Sequence, residues 1–367
     1  MRKRKKRNGK IKKIILLTAT VCIVSISLYK FFPQISRAAF IFTGSIDFSS
    51  EPDNYTGEND SDFFNIFADS KEAKAEESSN EIAVSASVDP GPKPYPEKWL
   101  EGEGTITPDT FERYTGDKFI GLKKGGQIQN ETSVLNSVLI EESQNPPNFT
   151  IDADETPQVL IMHTHTTESF EPYERENFDS SFNYRTTDPS KNVVMIGDKI
   201  TQELEDAGIG VIHDTTIHDY PSYNGSYERS AETVKKILKE NPTIKVVLDI
   251  HRDAIGTGDN ILQPTVEINE KKAAQVMIIS GCDDGTLDMP DYIKNFRFAS
   301  HLQQQLSSDY PGLTRPILFD YRKYNQDLTT GSLLIEVGTH GNTLEQVSYS
   351  GELIGKSLVK ALKDLEE

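Results

Sequence analysis

Three short segments of this sequence carry residue types that can do chemistry. They are His163-Thr164-His165-Thr166-Thr167-Glu168, His251-Arg252-Asp253 and Glu336-Val337-Gly338-Thr339-His340. Together they hold four of the seven histidines of the chain. Two imidazoles and a carboxylate, with one coordination position left open, are what a catalytic zinc needs. A further carboxylate that is not a ligand can take the proton of an attacking water and deliver it to a leaving nitrogen. A lone histidine at a strand end is usually a hydrogen-bonded structural residue. What argues for chemistry is recurrence at three strand ends far apart in sequence.

Each segment follows an apolar run that reads as a strand. Strand patterns cover 159–162, 209–212, 244–250, 274–280, 316–319 and 333–337. Helical spacing covers 192–207, with apolar residues at 193, 196, 200, 204 and 207, Asp188-Pro189-Ser190 ahead of it and Gly208 as its stop. Further helices are expected at 227–240, ended by Asn241-Pro242, at 292–306 and at 343–365. This alternation predicts an α/β class: a single three-layer domain over 156–367 around a central, mostly parallel twisted sheet. In such sheets ligands lie beyond the carboxyl ends of the strands, where all three segments fall. Residues 101–155 have mixed periodicity and read as a short structured prelude.

The amino terminus is different in kind. Residues 1–13 carry nine basic residues and no acidic one, a flank expected to stay cytoplasmic. The uncharged run IILLTATVCIVSISLY follows, and with Phe31 and Phe32 it predicts a single transmembrane anchor over 14–32. The rival reading is a cleaved signal peptide, with Ser36-Arg37-Ala38 as its small-x-small site. Either way the bulk of the chain is exported. Residues 33–100 are rich in Ser, Glu, Asp and Pro and predict a disordered tether, extended by its own charge.

Composition narrows the function. The 367 residues include 39 Lys and Arg against 57 Asp and Glu, for a net charge of −18. Removing the basic flank leaves 30 basic residues against the same 57 acidic ones, which disfavours nucleic acid as a partner. Two cysteines exclude a disulfide framework or a Cys-rich zinc module. No G-x-S-x-G elbow, P-loop or G-x-G-x-x-G phosphate cradle is present. His213 and His218, beside Asp214 and Asp219, could bind a metal but read rather as polar loop residues or substrate contacts, and His301 as a surface or packing position.

The blocks VLIMHTHTTES, NVVMIGDKI, HDYPSYNGSYERS, VVLDIHRDA and LLIEVGTHGNTLEQ follow one another in that order. In them the chain resembles the stage II sporulation protein P family of endospore-forming bacteria, over 159–367 and in its anchored, tethered layout. That family is related to zinc N-acetylmuramoyl-L-alanine amidases. The resemblance implies a hydrolase that cleaves the amide between N-acetylmuramic acid and the L-alanine of the stem peptide, and also endopeptidase activity on crosslinks. It implies zinc bound by His163 and His251, with Glu336 of the E-x-G motif as the catalytic carboxylate. Glu168 is expected as the acidic ligand because it belongs to the HTHTTES block. The broader amidases carry theirs later, near the start of the following helix, which keeps Glu176 and Asp188 as alternatives. His165 shares a face with His163 if the strand continues, and so is an alternative ligand, a supporting residue or a substrate contact.

The second catalytic residue expected is Arg252, as a stabiliser of the oxyanion or a binder of a stem-peptide carboxylate. The alternative is a structural ion pair with Asp249 or Asp253. The resemblance further implies septal wall thinning and engulfment during sporulation, with the catalytic domain on the extracytoplasmic side of the membrane. It implies a lytic transglycosylase and a multispanning membrane protein as partners. Two other functions stay open: a different metal-dependent amidohydrolase, and a non-catalytic wall-binding scaffold that keeps the fold without the chemistry.

Overall fold

A computed structural model of the chain describes residues 93–95 and 104–366, apart from 153, 180, 181, 183 and 258. The described elements run β1 (Gly104–Asp109), β2 (Phe119–Gly121), β3 (Gln127–Asn130), α1 (Asn136–Glu142), β4 (Val159–Met162), β5 (Asn177–Phe178) and α2 (Val194–Asp206). They continue with β6 (Val211–His213), α3 (Ser226–Glu240), β7 (Val246–Asp253), β8 (Gly256–Thr257), β9 (Asn260–Ile268), β10 (Lys271–Ala274) and β11 (Val276–Gly281). Last come α4 (Tyr292–Asp309), β12 (Ile317–Asp320), β13 (Gly331–Thr339) and α5 (Leu344–Lys363).

Eight strands form the main sheet in the order β2-β3-β12-β11-β13-β7-β4-β6. Five of its seven pairings are parallel and two, β2 with β3 and β11 with β13, are antiparallel. Strands β4, β7 and β13 are buried along their whole length, as their near-continuous apolar sequences require of strands covered on both faces. Val159, Ile161, Leu248 and Ile335 face one layer, packed with Ile196 and Ile200 of α2, Phe296 and Leu302 of α4, and Ile354 and Leu358 of α5. Leu160, Met162 and Val247 face the opposite way and pack on Val234 of α3. Sheet and helices thus make three layers here.

The connections decide where a ligand can sit. From β4 the chain crosses through α2 to β6 on one side, then returns through α3, on the opposite face, to β7 on the other side. Adjacent strands whose connections diverge leave a crevice beyond their carboxyl ends. The segments after β4 and at the end of β7 therefore flank a crevice by topology alone.

A second sheet of five strands, β10-β9-β1-β5 with β8 beside β9, was not expected from the sequence. Its strand β9 contains Pro264, and its tight turn to β10 is Asn269-Glu270, both at positive φ (49° and 65°) without the glycine that usually marks such a turn. It is fastened to the end of β13: Thr339 Oγ1 donates to Leu262 O at 2.6 Å and Asn342 Nδ2 to Pro264 O at 3.0 Å. Residues 104–142, within the stretch set apart as a prelude, supply β1 to this sheet and β2, β3 and α1 to the main unit. The helix expected at 343–365 begins with a capping box between Thr343 and Gln346.

No helix among the described residues is long and apolar enough to cross a membrane. The anchor expected at 14–32 lies outside the described residues, as does the tether at 33–100 except for residues 93–95.

Candidate active site

The cavity beyond the ends of β4, β7 and β13 is lined by His165, Glu168, His251, Arg252 and Glu336, with Tyr223, Tyr227 and Tyr324 on its walls. Parallel pairing of β7 with β13 sets His251 directly beside Glu336. Beyond Glu336 the register shifts before Thr339, and Gly338 in that bulge has a φ of +64°. The glycine of the E-x-G motif therefore sits where an L side chain would be strained.

Strand β4 ends at Met162, and the next residues turn rather than extend: the Glu168 N–H donates to His165 O at 3.0 Å. This turn brings His165 and Glu168 to the cavity together. The His165 ring stacks on Tyr223 with centroids 4.6 Å apart and meets the His251 ring edge-on at 5.2 Å. Burial, and after it the positive charge of His251, holds the His165 imidazole well below its usual pKa. Glu168 Oε2 accepts the Arg252 N–H at 3.0 Å and lies 3.6 Å from His251 Nδ1.

His163 goes elsewhere. Its Nδ1 donates to Ile250 O at 3.0 Å, which leaves Nε2 as an acceptor, 2.9 Å from His213 Nε2. His213 in turn lies 3.1 Å from Asp198. The pair is packed so closely on α2 that a Cβ on Gly197 would come within 2.4 Å of His213 and 3.0 Å of His163. Burial, then the neighbouring His213, pushes the His163 pKa down to about 3. The structure thus brings together four of the residues singled out from the sequence, Glu168, His251, Arg252 and Glu336, and sets His165 among them in place of His163. Of the alternative acids, Glu176 is exposed, and Asp188 is spent on a surface turn with Ser190 and Lys191.

Arg252 is buried with its Nε donating to Ser169 O at 3.1 Å. The acids suggested as its ion-pair partners are engaged otherwise: Asp253 with Arg315 at 2.8 Å, Asp249 with Thr164 and His251. His218 donates from Nδ1 to His163 O at 2.8 Å, and Asp219 accepts from Thr167 and Arg185, so both shape the turn that carries His165. His301 bonds Ala361 O at 3.0 Å and ties α4 to α5.

Asp249 was not singled out for this role. It lies two residues before His251, on the same side of the strand, and its Oδ1 is 2.8 Å from His251 Nε2. Burial opposes a charge on His251, but the Asp249 carboxylate outweighs it and raises the imidazole pKa to about 10. A buried acid inside the apolar run VVLDI was the available signal. Arg185 was also missed; it bonds Asp219 at 2.9 Å, approaches Glu168 at 3.9 Å and covers the Tyr223 ring.

Among the described residues, no group of three His, Cys, Asp or Glu side chains stands ready to hold a metal ion. The donor types around the cavity nevertheless suit zinc. Glu336 Oε2 is buried there without a hydrogen bond, and His251 turns Nδ1 toward Glu168 while its Nε2 faces Asp249. Burial, then repulsion from Asp253, lifts the Glu336 carboxyl to about 8.

The family description "Stage II sporulation protein P (SpoIIP)" matches residues 68–358. The Stage II sporulation protein P of Bacillus subtilis (strain 168) is 30% identical over 240 residues, covering 60% of this chain and 56% of that protein. The match thus spans little more than half of that relative. Among solved structures, N-acetylmuramoyl-L-alanine amidase AmiC2 of Nostoc punctiforme is 11% identical over 56% of this chain and 96% of its own, with a TM-score of 0.34. An amidase of Clostridium difficile 630 is 15% identical, covering 57% and 97%, with a TM-score of 0.33. With a family match over most of its length, the chain belongs to the stage II sporulation protein P family.

Proposed function

We propose that the chain is a zinc-dependent peptidoglycan hydrolase that cleaves the amide between N-acetylmuramic acid and the L-alanine of the stem peptide. The observation that carries this reading is the convergence of His165, Glu168, His251 and Glu336 on one cavity, with the Glu336 Oε2 atom buried and unpartnered. In this reading His165, Glu168 and His251 hold the ion, after some movement of their side chains, and His163 is a structural neighbour. Zinc would supply a Lewis acid for the amide carbonyl and a more acidic water.

The remaining work falls to the chain's own groups. Glu336, beside His251 and with Oε2 unpartnered, is placed to accept a proton from the attacking water and return it to the departing amine. Asp249 stands 2.8 Å from His251 Nε2 and, once aligned to accept from it, would orient the ring from behind, leaving Nδ1, beside Glu168, to face the ion. Arg252 donates from Nε to the Ser169 carbonyl and from its backbone N–H to Glu168 Oε2, and so holds both residues at the cavity edge. Tyr223, Tyr227 and Tyr324 limit water access to the reacting bond.

The same reading places the chain in a membrane through residues 14–32, with its catalytic unit on the extracytoplasmic side. There it thins septal wall during engulfment beside a lytic transglycosylase and a multispanning membrane protein. Incubating the purified chain with sacculi and measuring released stem peptides tests the chemistry. Glu336→Gln should lower the rate about 10²- to 10⁴-fold while the protein stays folded. Cleavage at the wild-type rate by that variant would overturn the assignment.

A further inference from the structure

Residues 93–95, Lys-Pro-Tyr, lie far upstream of the catalytic unit yet grip one of its loops. The Lys93 N–H donates to Thr187 Oγ1 at 2.7 Å, and Thr186 Oγ1 donates to Lys93 O at 3.0 Å. The Tyr95 hydroxyl donates to Phe170 O. Its ring meets Phe182 edge-on at 5.5 Å, and the Lys191 ammonium lies 5.3 Å above it.

The two stretches gripped, 167–170 and 184–187, are paired with each other. Ser169 N–H donates to Tyr184 O and Thr186 N–H to Thr167 O, both at 2.8 Å, and Glu168 bridges to Arg185. One stretch carries Glu168 to the cavity and the other carries Arg185 against it. Each is a loop segment outside both sheets, held at its inner side by Arg252 and at its outer side by residues 93–95. A short ladder of this kind opens easily unless something fastens it.

We propose that residues 93–95 act as a strap that positions the Glu168–Arg185 loop, with Tyr95 as its principal positioning residue. The working catalytic unit then extends upstream of β1. Loss of the strap would leave the sheets intact while Glu168 loses its fixed place. The consequence for zinc rests on the proposed function; the consequence for the loop does not.

The test uses the full chain and two variants, Tyr95→Phe, which keeps the ring and removes one hydrogen bond, and Tyr95→Ala, which removes both. Hydrogen exchange followed by mass spectrometry on the metal-free protein reads the loop directly. Exchange over 165–187 should rise about fivefold in Tyr95→Phe, the worth of one hydrogen bond, and more in Tyr95→Ala. Peptides from β7 and β13 should exchange as in the wild type. Zinc affinity, measured by competition with a chromophoric chelator, should fall in the same order as loop protection is lost. Unchanged exchange over 165–187 in Tyr95→Ala would overturn the strap, and so would equal acceleration in β7 and β13, which signals general destabilisation. If even the wild type binds no zinc, the proposed function fails, while the exchange data still decide the strap.

Discussion

Glu336 is an acid held in an unfavourable place, and its cost to the fold can be measured. Its ordinary pKa is 4.5; burial first, and Asp253 and Glu168 in addition, raise it to about 8 against the opposing pull of His251 and Arg315. The folded state therefore keeps a proton that the unfolded chain releases. Stability from this group is complete below about pH 4.5 and is lost as pH rises towards 8. For the metal-free protein, the thermal midpoint should fall over that range, and Glu336→Gln should flatten the fall. At pH 7.5 the variant should melt about 5 °C higher. Calorimetry in the presence of a chelator checks it; a variant that melts no higher than the wild type would refute the burial argument. The choice between the two histidines shows where the sequence stopped being legible at this scale. Alternation puts His163 and His165 on one face only while a strand continues, and β4 ends at Met162. Past that point the turn, not parity, sets direction, and its hydrogen bonds come from Asp219 and His218, some fifty residues downstream.

Strands β4, β7 and β13 and helices α2 to α5 were legible because their apolar periods are long and their ends are marked. The second sheet was not, since β5 and β8 are two residues each, β1 (GTITPD) carries one large apolar residue and a proline, and the β9–β10 turn carries Asn269-Glu270 in place of a glycine pair. The partners of β1 lie far off in sequence, as Thr105 pairs with Asn177 in β5 and with Asn260 in β9, which no local window can see. The bulge that ends β13 gives a sharp prediction. A Cβ on Gly338 would lie 2.6 Å from Asn342 Oδ1 and 2.9 Å from the Ala274 Cβ, at a φ of +64°. Asn342 cannot retreat freely, because it accepts the Thr339 N–H at 2.8 Å and donates to Pro264 O. Gly338→Ala should cost about 2–3 kcal/mol in urea-induced unfolding and displace Glu336, lowering cleavage as well. A loss under about 0.5 kcal/mol would show that the bulge tolerates a side chain.

At the scale of the molecule, the proposed hydrolytic centre sits where two parallel strands send their connections in opposite directions, and an upstream segment is fastened onto its rim. The acidic surface, with a net charge of −18 for the whole chain, favours a cation over a polyanion as its partner. The α/β class and the strand-end placement of the chemistry followed from the sequence. The identity of the groups that converge needed the tertiary arrangement, because ligand candidates two residues apart differ only in which way the chain turns. Zinc stoichiometry decides the central claim most directly, measured by metal analysis and chelator competition on the wild type, His163→Ala, His165→Ala and His251→Ala. The wild type and His163→Ala should bind one ion per chain, while His165→Ala and His251→Ala lose affinity about 100-fold or more. Retention of zinc by His165→Ala with its loss from His163→Ala, or no zinc in the wild type, would contradict the account.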